Sequence, residues 1–200
     1  MLGARGRQCL QRVLVARETR WAADAAPGRA VLGYWPLSAG DEMRALAGPQ
    51  LSVWGLAGST PSERTARACA RAGDLGSGPV ILVDCALPTL RAAHAHAAFQ
   101  DMTAGCQVSY GPATGGGWYL AAASRPDPSL LGLGRERPDS DLLTAGLHAA
   151  QQHGLRIGLL HSERTLESPS AVRALLADPL CPGEVRAVLS EAQDTRESTS

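Results

Sequence analysis

The chain contains no lysine, no asparagine and a single phenylalanine, Phe99. All 19 of its basic residues are arginine, set against 19 acidic ones. Without lysine there is no Schiff-base chemistry and no P-loop lysine. A formal charge of zero argues against a generic nucleic-acid binder, which carries a basic excess. The five cysteines, Cys9, Cys69, Cys85, Cys106 and Cys181, are odd in number and scattered, with no C-x-x-C or C-x-x-H spacing. That pattern fits neither a disulfide framework nor a zinc site, and it points to reduced thiols in the cytoplasm. The apolar stretch after Arg5 and Arg7 is broken by Gln11, Arg12 and Arg17, which does not make a signal peptide. Nowhere do about 18 apolar residues run together, so no membrane span is expected. G-x-S-x-G, H-E-x-x-H and G-x-G-x-x-G are also missing.

What is present is a globular composition, 44% apolar and 19% charged over 200 residues. A chain of that length buries roughly 70% of its unfolded surface and folds without disulfides or a structural metal. One domain over residues 1–190 is expected, followed by a polar, disordered tail at 191–200.

Helical spacing of Leu10, Val13, Leu14, Arg17 and Trp21 predicts a helix over 8–23, closed by Pro27-Gly28. Strands are predicted at 30–34, 51–54, 79–83, 107–110, 118–123 and 155–160. Between and after them, helices are predicted at 41–47, 61–72, 89–99, 139–153, 171–177 and 182–192. Thr60-Pro61-Ser62-Glu63 reads as an N-cap, a proline at the first helical position and a reciprocal capping acid. The run Pro79-Val80-Ile81-Leu82-Val83 reads as a central parallel strand covered on both faces. Alternating strands and helices argue for a mostly parallel sheet with helices on both faces.

Asp84 closes that strand. In open α/β sheets ligands gather outside the carboxyl ends of the strands, and a carboxylate there can hold Mg²⁺ against a diphosphate. It can equally hydrogen-bond its own turn. The loop Thr114-Gly115-Gly116-Gly117 can present backbone N–H groups to an anion, or simply turn the chain between two strands. Arg64, in the first turn of its helix, is either a solvated side chain or a phosphate contact. His94 and His96 sit two apart on a helix, point to different sides and cannot chelate together.

Taken together, these segments resemble a bacterial family of small glycosyltransferase-A-fold proteins related to the molybdenum-cofactor guanylyltransferases. The residues that carry the resemblance are Pro79-Val80-Ile81-Leu82-Val83-Asp84-Cys85, Gly111-Pro112-Ala113-Thr114-Gly115-Gly116-Gly117-Trp118-Tyr119-Leu120, Arg125-Pro126-Asp127-Pro128, and Leu166-Glu167-Ser168-Pro169. The resemblance covers about residues 8–189. It implies a Rossmann-like domain that binds a nucleotide or nucleotide-sugar and transfers a glycosyl or nucleotidyl group. By position it implies Asp84 and Glu167 as ligands of Mg²⁺ or another divalent cation, although Glu167 equally reads as an acid in the turn before the next helix, where it favours the helix dipole. It likewise implies Arg64, Thr114, Gly115, Gly116 and Gly117 as nucleotide contacts. No nucleic acid or membrane partner is implied.

The departures point toward impairment. Gly115 and Thr60 stand where the family has aspartates, and Glu167 is one methylene longer than its counterpart. The family's opening strand and phosphate loop have no match in this chain. Such a strand is central, and its loss leaves two strands with unpaired backbone edges, each unmade buried hydrogen bond costing about 1–3 kcal/mol. The expectation is either a start upstream of Met1 or a decayed, weakly binding relative. A non-catalytic binding or interaction protein on the same scaffold is the competing reading.

Overall fold

A computed structural model describes residues 3–76, 78–131, 142–166 and 168–197. Glu167 and the cap expected at 139–141 lie outside the described residues.

Helices and strands alternate as the sequence predicts: α1 (Ala4–Ala25), β1 (Val31–Tyr34), α2 (Gly40–Ala47), β2 (Ser52–Gly55), α3 (Pro61–Leu75), β3 (Val80–Val83), α4 (Ala92–Thr103), β4 (Val108–Pro112), β5 (Trp118–Ala123), α5 (Leu142–Gln152), β6 (Ile157–Leu159), α6 (Pro169–Ala177) and α7 (Gly183–Glu197). Local chemistry sets several boundaries. The Thr60 hydroxyl accepts the Glu63 N–H at the start of α3, with Pro61 following as the first helical residue. The Glu63 carboxylate reaches back to the N–H and hydroxyl of Ser59. Ser168 caps α6 in the same way, accepting from the Ala171 N–H.

The strands form a four-stranded sheet, order β3-β5-β4-β6, and a separate parallel pair, β1-β2. In the larger sheet β4 and β6 are parallel, and β5 runs against β3 and β4. Three of its four strands therefore point the same way. The run 79–83, expected to be central, parallel and buried on both faces, is instead an edge strand, half-buried, with an antiparallel partner. The β4–β5 hairpin explains the difference. A tight loop returns the chain antiparallel to β4, and the free edge of β5 then takes up β3.

Among the described residues β1 pairs only with β2, and β3 only with β5. Each therefore keeps one edge unpaired among the described residues. Helices join the two pieces. On α1, Trp21 packs on the cluster that includes Ile81, Val83 and Leu120, while Ala22 and Ala23 pack with Ala30, Leu32 and Leu51. On α3, Cys69 lies in the cluster with Val80 and Leu82, and the Arg71 guanidinium stacks 4.4 Å from the Trp54 ring of β2. The first half of α1 is held elsewhere: Leu10 and Leu14 pack with Leu175, Val185 and Leu189 of α6 and α7. No helix among the described residues is long and apolar enough to cross a membrane.

Candidate functional site

The sheet's register brings two of the sequence candidates to one end. Val83 pairs with Leu120, and the Asp84 N–H donates to the Tyr119 carbonyl at 3.0 Å. Tyr119 lies two residues after the glycine loop, so the carboxyl end of β3 and the loop share an end of the sheet. The Asp84 residue is exposed there. The segment after β6 arrives at the same place. The Glu163 N–H donates to Pro112 O, Glu163 O accepts the Thr114 N–H, and the Leu166 N–H donates to Ala86 O, each at 2.9 Å.

The loop itself is tightly wound. Gly116 N–H donates to Ala113 O at 3.0 Å, and Ala113 N–H to Gly117 O at 3.1 Å. Gly116 and Gly117 have φ of 106° and 71°, a region that favours glycine. The Thr114 and Gly116 N–H groups are thus engaged within the protein, while Gly115 is exposed. Arg64 is partly engaged as well. It donates to Gly58 O at 3.0 Å and lies 4.5 Å from the Trp35 ring centroid, leaving further guanidinium donors.

Two constellations escaped the sequence reading. Glu18 on α1 is only 8% exposed, yet among the described residues its Oε1 has no hydrogen-bond partner. Burial pushes its carboxyl up to about 8, opposed by a hydrogen bond from Cys85 and reinforced by the nearby Asp84 charge. Burial also raises the Cys85 thiol, with the Glu18 charge adding to it. A helical stripe of Leu14, Glu18 and Trp21, at i, i+4 and i+7, was the available signal. The second constellation is His94 and Glu163, whose Nε2 and Oε1 lie 3.2 Å apart. These residues are far apart in sequence, and no pattern pairs them. His96 is exposed and takes no part.

The fit to a divalent cation is poor among the described residues. No cluster of three or more His, Cys, Asp or Glu side chains can hold a metal. Asp84 is the carboxylate at the strand end, while its neighbour Glu18 is held neutral at pH 7 by burial.

This geometry defines a class: a mixed α/β fold of the kind seen in nucleotide-diphospho-sugar transferase structures. The solved structures it resembles bear that out at the level of the fold. One is described as a "putative nucleotide-diphospho-sugar transferase" from Desulfovibrio desulfuricans G20, with a TM-score of 0.76 at 20% identity, covering 92% of this chain and 82% of that one. Another is 4-diphosphocytidyl-2C-methyl-D-erythritol synthase, with a TM-score of 0.54 at 21% identity, covering 84% of this chain and 89% of that one. No functionally curated protein matches the sequence. Residues 19–133, more than half of the chain, match the family described as "Uncharacterized protein conserved in bacteria (DUF2064)", and the chain belongs to that family.

Proposed function

We propose that the carboxyl end of the four-stranded sheet binds a nucleotide or nucleotide-sugar, and that the chain is a glycosyl- or nucleotidyltransferase-like protein with impaired turnover. The observation that carries this reading is the meeting of Asp84 and the glycine loop across Tyr119. The likeness in fold to the two transferase structures supports it. In this reading Gly115 N–H and Arg64 face the phosphates, Thr114, Gly116 and Gly117 shape the loop around them, and Asp84 is the carboxylate toward any Mg²⁺ that the nucleotide brings; a ligand role for Glu167 rests on the resemblance in sequence alone. Kinship to the molybdenum-cofactor guanylyltransferases, a single domain over 1–190 and a cytoplasmic setting belong to the same reading; the five free cysteines favour the last.

Impairment is supported by Gly115, which brings no carboxylate, and by a loop that spends two N–H groups on itself. The second reading, a binding protein without catalysis, is favoured by those same two bonds. Calorimetry with nucleoside triphosphates, diphosphates and nucleotide-sugars in Mg²⁺ tests both. Weak binding reduced by Asp84→Ala and by Gly115→Pro supports the site. Micromolar affinity with turnover removes the impairment, and no binding to any of them removes the site.

A further inference from the structure

The residue that falls beside the loop is Glu163, and its surroundings are built around its carboxylate. Its backbone is pinned on both sides by the bonds to Pro112 and Thr114, in a parallel bridge opposite Ala113. That places its Cα next to the loop, where Gly115 and Gly116 carry no side chain. The position a Cβ would take on Gly116 has nothing within 4 Å.

Its side-chain partner is fixed in turn. The His94 Nδ1 lies 2.9 Å from the Arg91 nitrogen and 3.2 Å from the Arg91 carbonyl oxygen; with the shorter contact taken as the Arg91 N–H donating, the ring proton falls on Nε2. That Nε2–H donates to Glu163 Oε1 at 3.2 Å. The His94 side chain is 13% exposed, and its ring meets the Tyr119 ring edge-on, with centroids 5.4 Å apart at 80°. Tyr119 is itself fully buried, and its hydroxyl donates to His161 O. The imidazole is thus packed against Tyr119 with both ring nitrogens engaged. It serves to hold one carboxylate oxygen. Glu163 remains 31% exposed, and among the described residues Oε2 has no hydrogen-bond partner.

We propose that Glu163 is a ligand-facing carboxylate of this site, accepting hydrogen bonds from sugar hydroxyls of the bound nucleotide or nucleotide-sugar, and that His94 is the residue that positions it. A carboxylate is an acceptor with two oxygens. With one committed to His94, the other suits a donor such as a hydroxyl and repels phosphate. The phosphates therefore belong toward Gly115 and Arg64, and the sugar toward Glu163. The inference rests on the nucleotide reading above, and it supplies the loop with a carboxylate where Gly115 has none.

The test is calorimetry on the full chain with uridine, guanosine, adenosine and cytidine diphosphates, their 2′,3′-dideoxy analogues and the corresponding hexose conjugates. For the ribonucleotides, Glu163→Ala is expected to weaken binding roughly 10–100-fold, the loss typical of a hydrogen bond to a charged group. The dideoxy analogues should bind both proteins alike. A loss confined to the hexose conjugates assigns the carboxylate to the donor sugar instead of the ribose. His94→Leu should weaken ribonucleotide binding less than Glu163→Ala, and His94→Gln, which keeps an N–H donor, should restore part of it. An equal loss for hydroxylated and dideoxy ligands, or none at all in a variant with an unchanged thermal midpoint, overturns the inference and leaves the nucleotide site standing. No binding by the unaltered chain overturns both.

Discussion

The two sheets are built to different standards. In β4 and β5, Val108, Tyr110, Leu120, Ala121 and Ala123 have no exposed surface, and each of these strands has a partner on both edges. In β1 and β2 most residues are half-buried or exposed, and Trp54 is the one strand residue that is buried. The larger sheet is held by its own ladder and a dense core. The smaller one is held through α1 and α3, which reach across from the larger. Cohesion in this molecule therefore comes from helices at the join, where hydrogen-bonded strands would ordinarily supply it.

Five substitutions probe that contrast. Leu120→Ala empties a fully buried site in the larger sheet and is expected to lower stability by about 2–5 kcal/mol. Leu32→Ala, half-buried in β1, should cost clearly less. Urea denaturation measures both, and equal losses would break the comparison. Next comes Glu18, under α1 at the join and facing Cys85, Asp84 and Arg17. Its carboxyl is raised from 4.5 to about 8, so the folded state keeps a proton that the unfolded chain has already released. Stability is then greatest below about pH 4.5 as far as this group is concerned, and falls as the pH climbs toward about 8. Glu18→Gln should flatten that slope and raise stability at pH 8. A Glu18→Gln profile parallel to that of the unaltered chain would contradict the buried acid.

Thr60→Ala removes the cap of α3, one of the two bridging helices, at about 1 kcal/mol. If the bridge matters as described, amide exchange in β1 and β2 should quicken more than in β4 and β5. The smallest effect is expected for Arg20→Ala. This exposed arginine meets Glu184 at 2.9 Å and ties α1 to α7, and such pairs are worth about 0.2–1 kcal/mol. A larger drop in thermal midpoint would mean that the α1–α7 contact carries more of the fold than the two sheets do.

Most of the element order was legible, because each element depends on local chemistry. Gly48, at φ 64°, ends α2 where the sequence places a stop, and Thr60 and Pro61 open α3. Strand neighbours were harder. A continuously apolar strand is expected wherever both faces are covered, and β3 is covered by helices although one edge is open. Apolar patterning reports the faces of a strand and says nothing of its edges. The site was legible in part for a similar reason. Asp84 and the glycine loop each end a strand, and their meeting follows from sheet geometry. His94 and Glu163 meet through a helix and a returning segment 69 residues apart, a contact that only the tertiary fold creates. Glu18 lay on the apolar face of α1 in plain view, but a charged residue between Arg17 and Trp21 reads as solvated until burial is known.

The four tryptophans fall in different parts of this architecture. Trp118 belongs to the larger sheet, Trp54 to the smaller, Trp21 to the helix that joins them, and Trp35 to the loop after β1, where it is 57% exposed. Two of them lie under arginine guanidinium groups, and the indole nitrogens of Trp21 and Trp118 are buried without a hydrogen-bond partner among the described residues. The molecule thus carries its own optical reporters, each in a distinct polarity. Variants that retain one indole at a time give emission that distinguishes the parting of the two sheets from the melting of either.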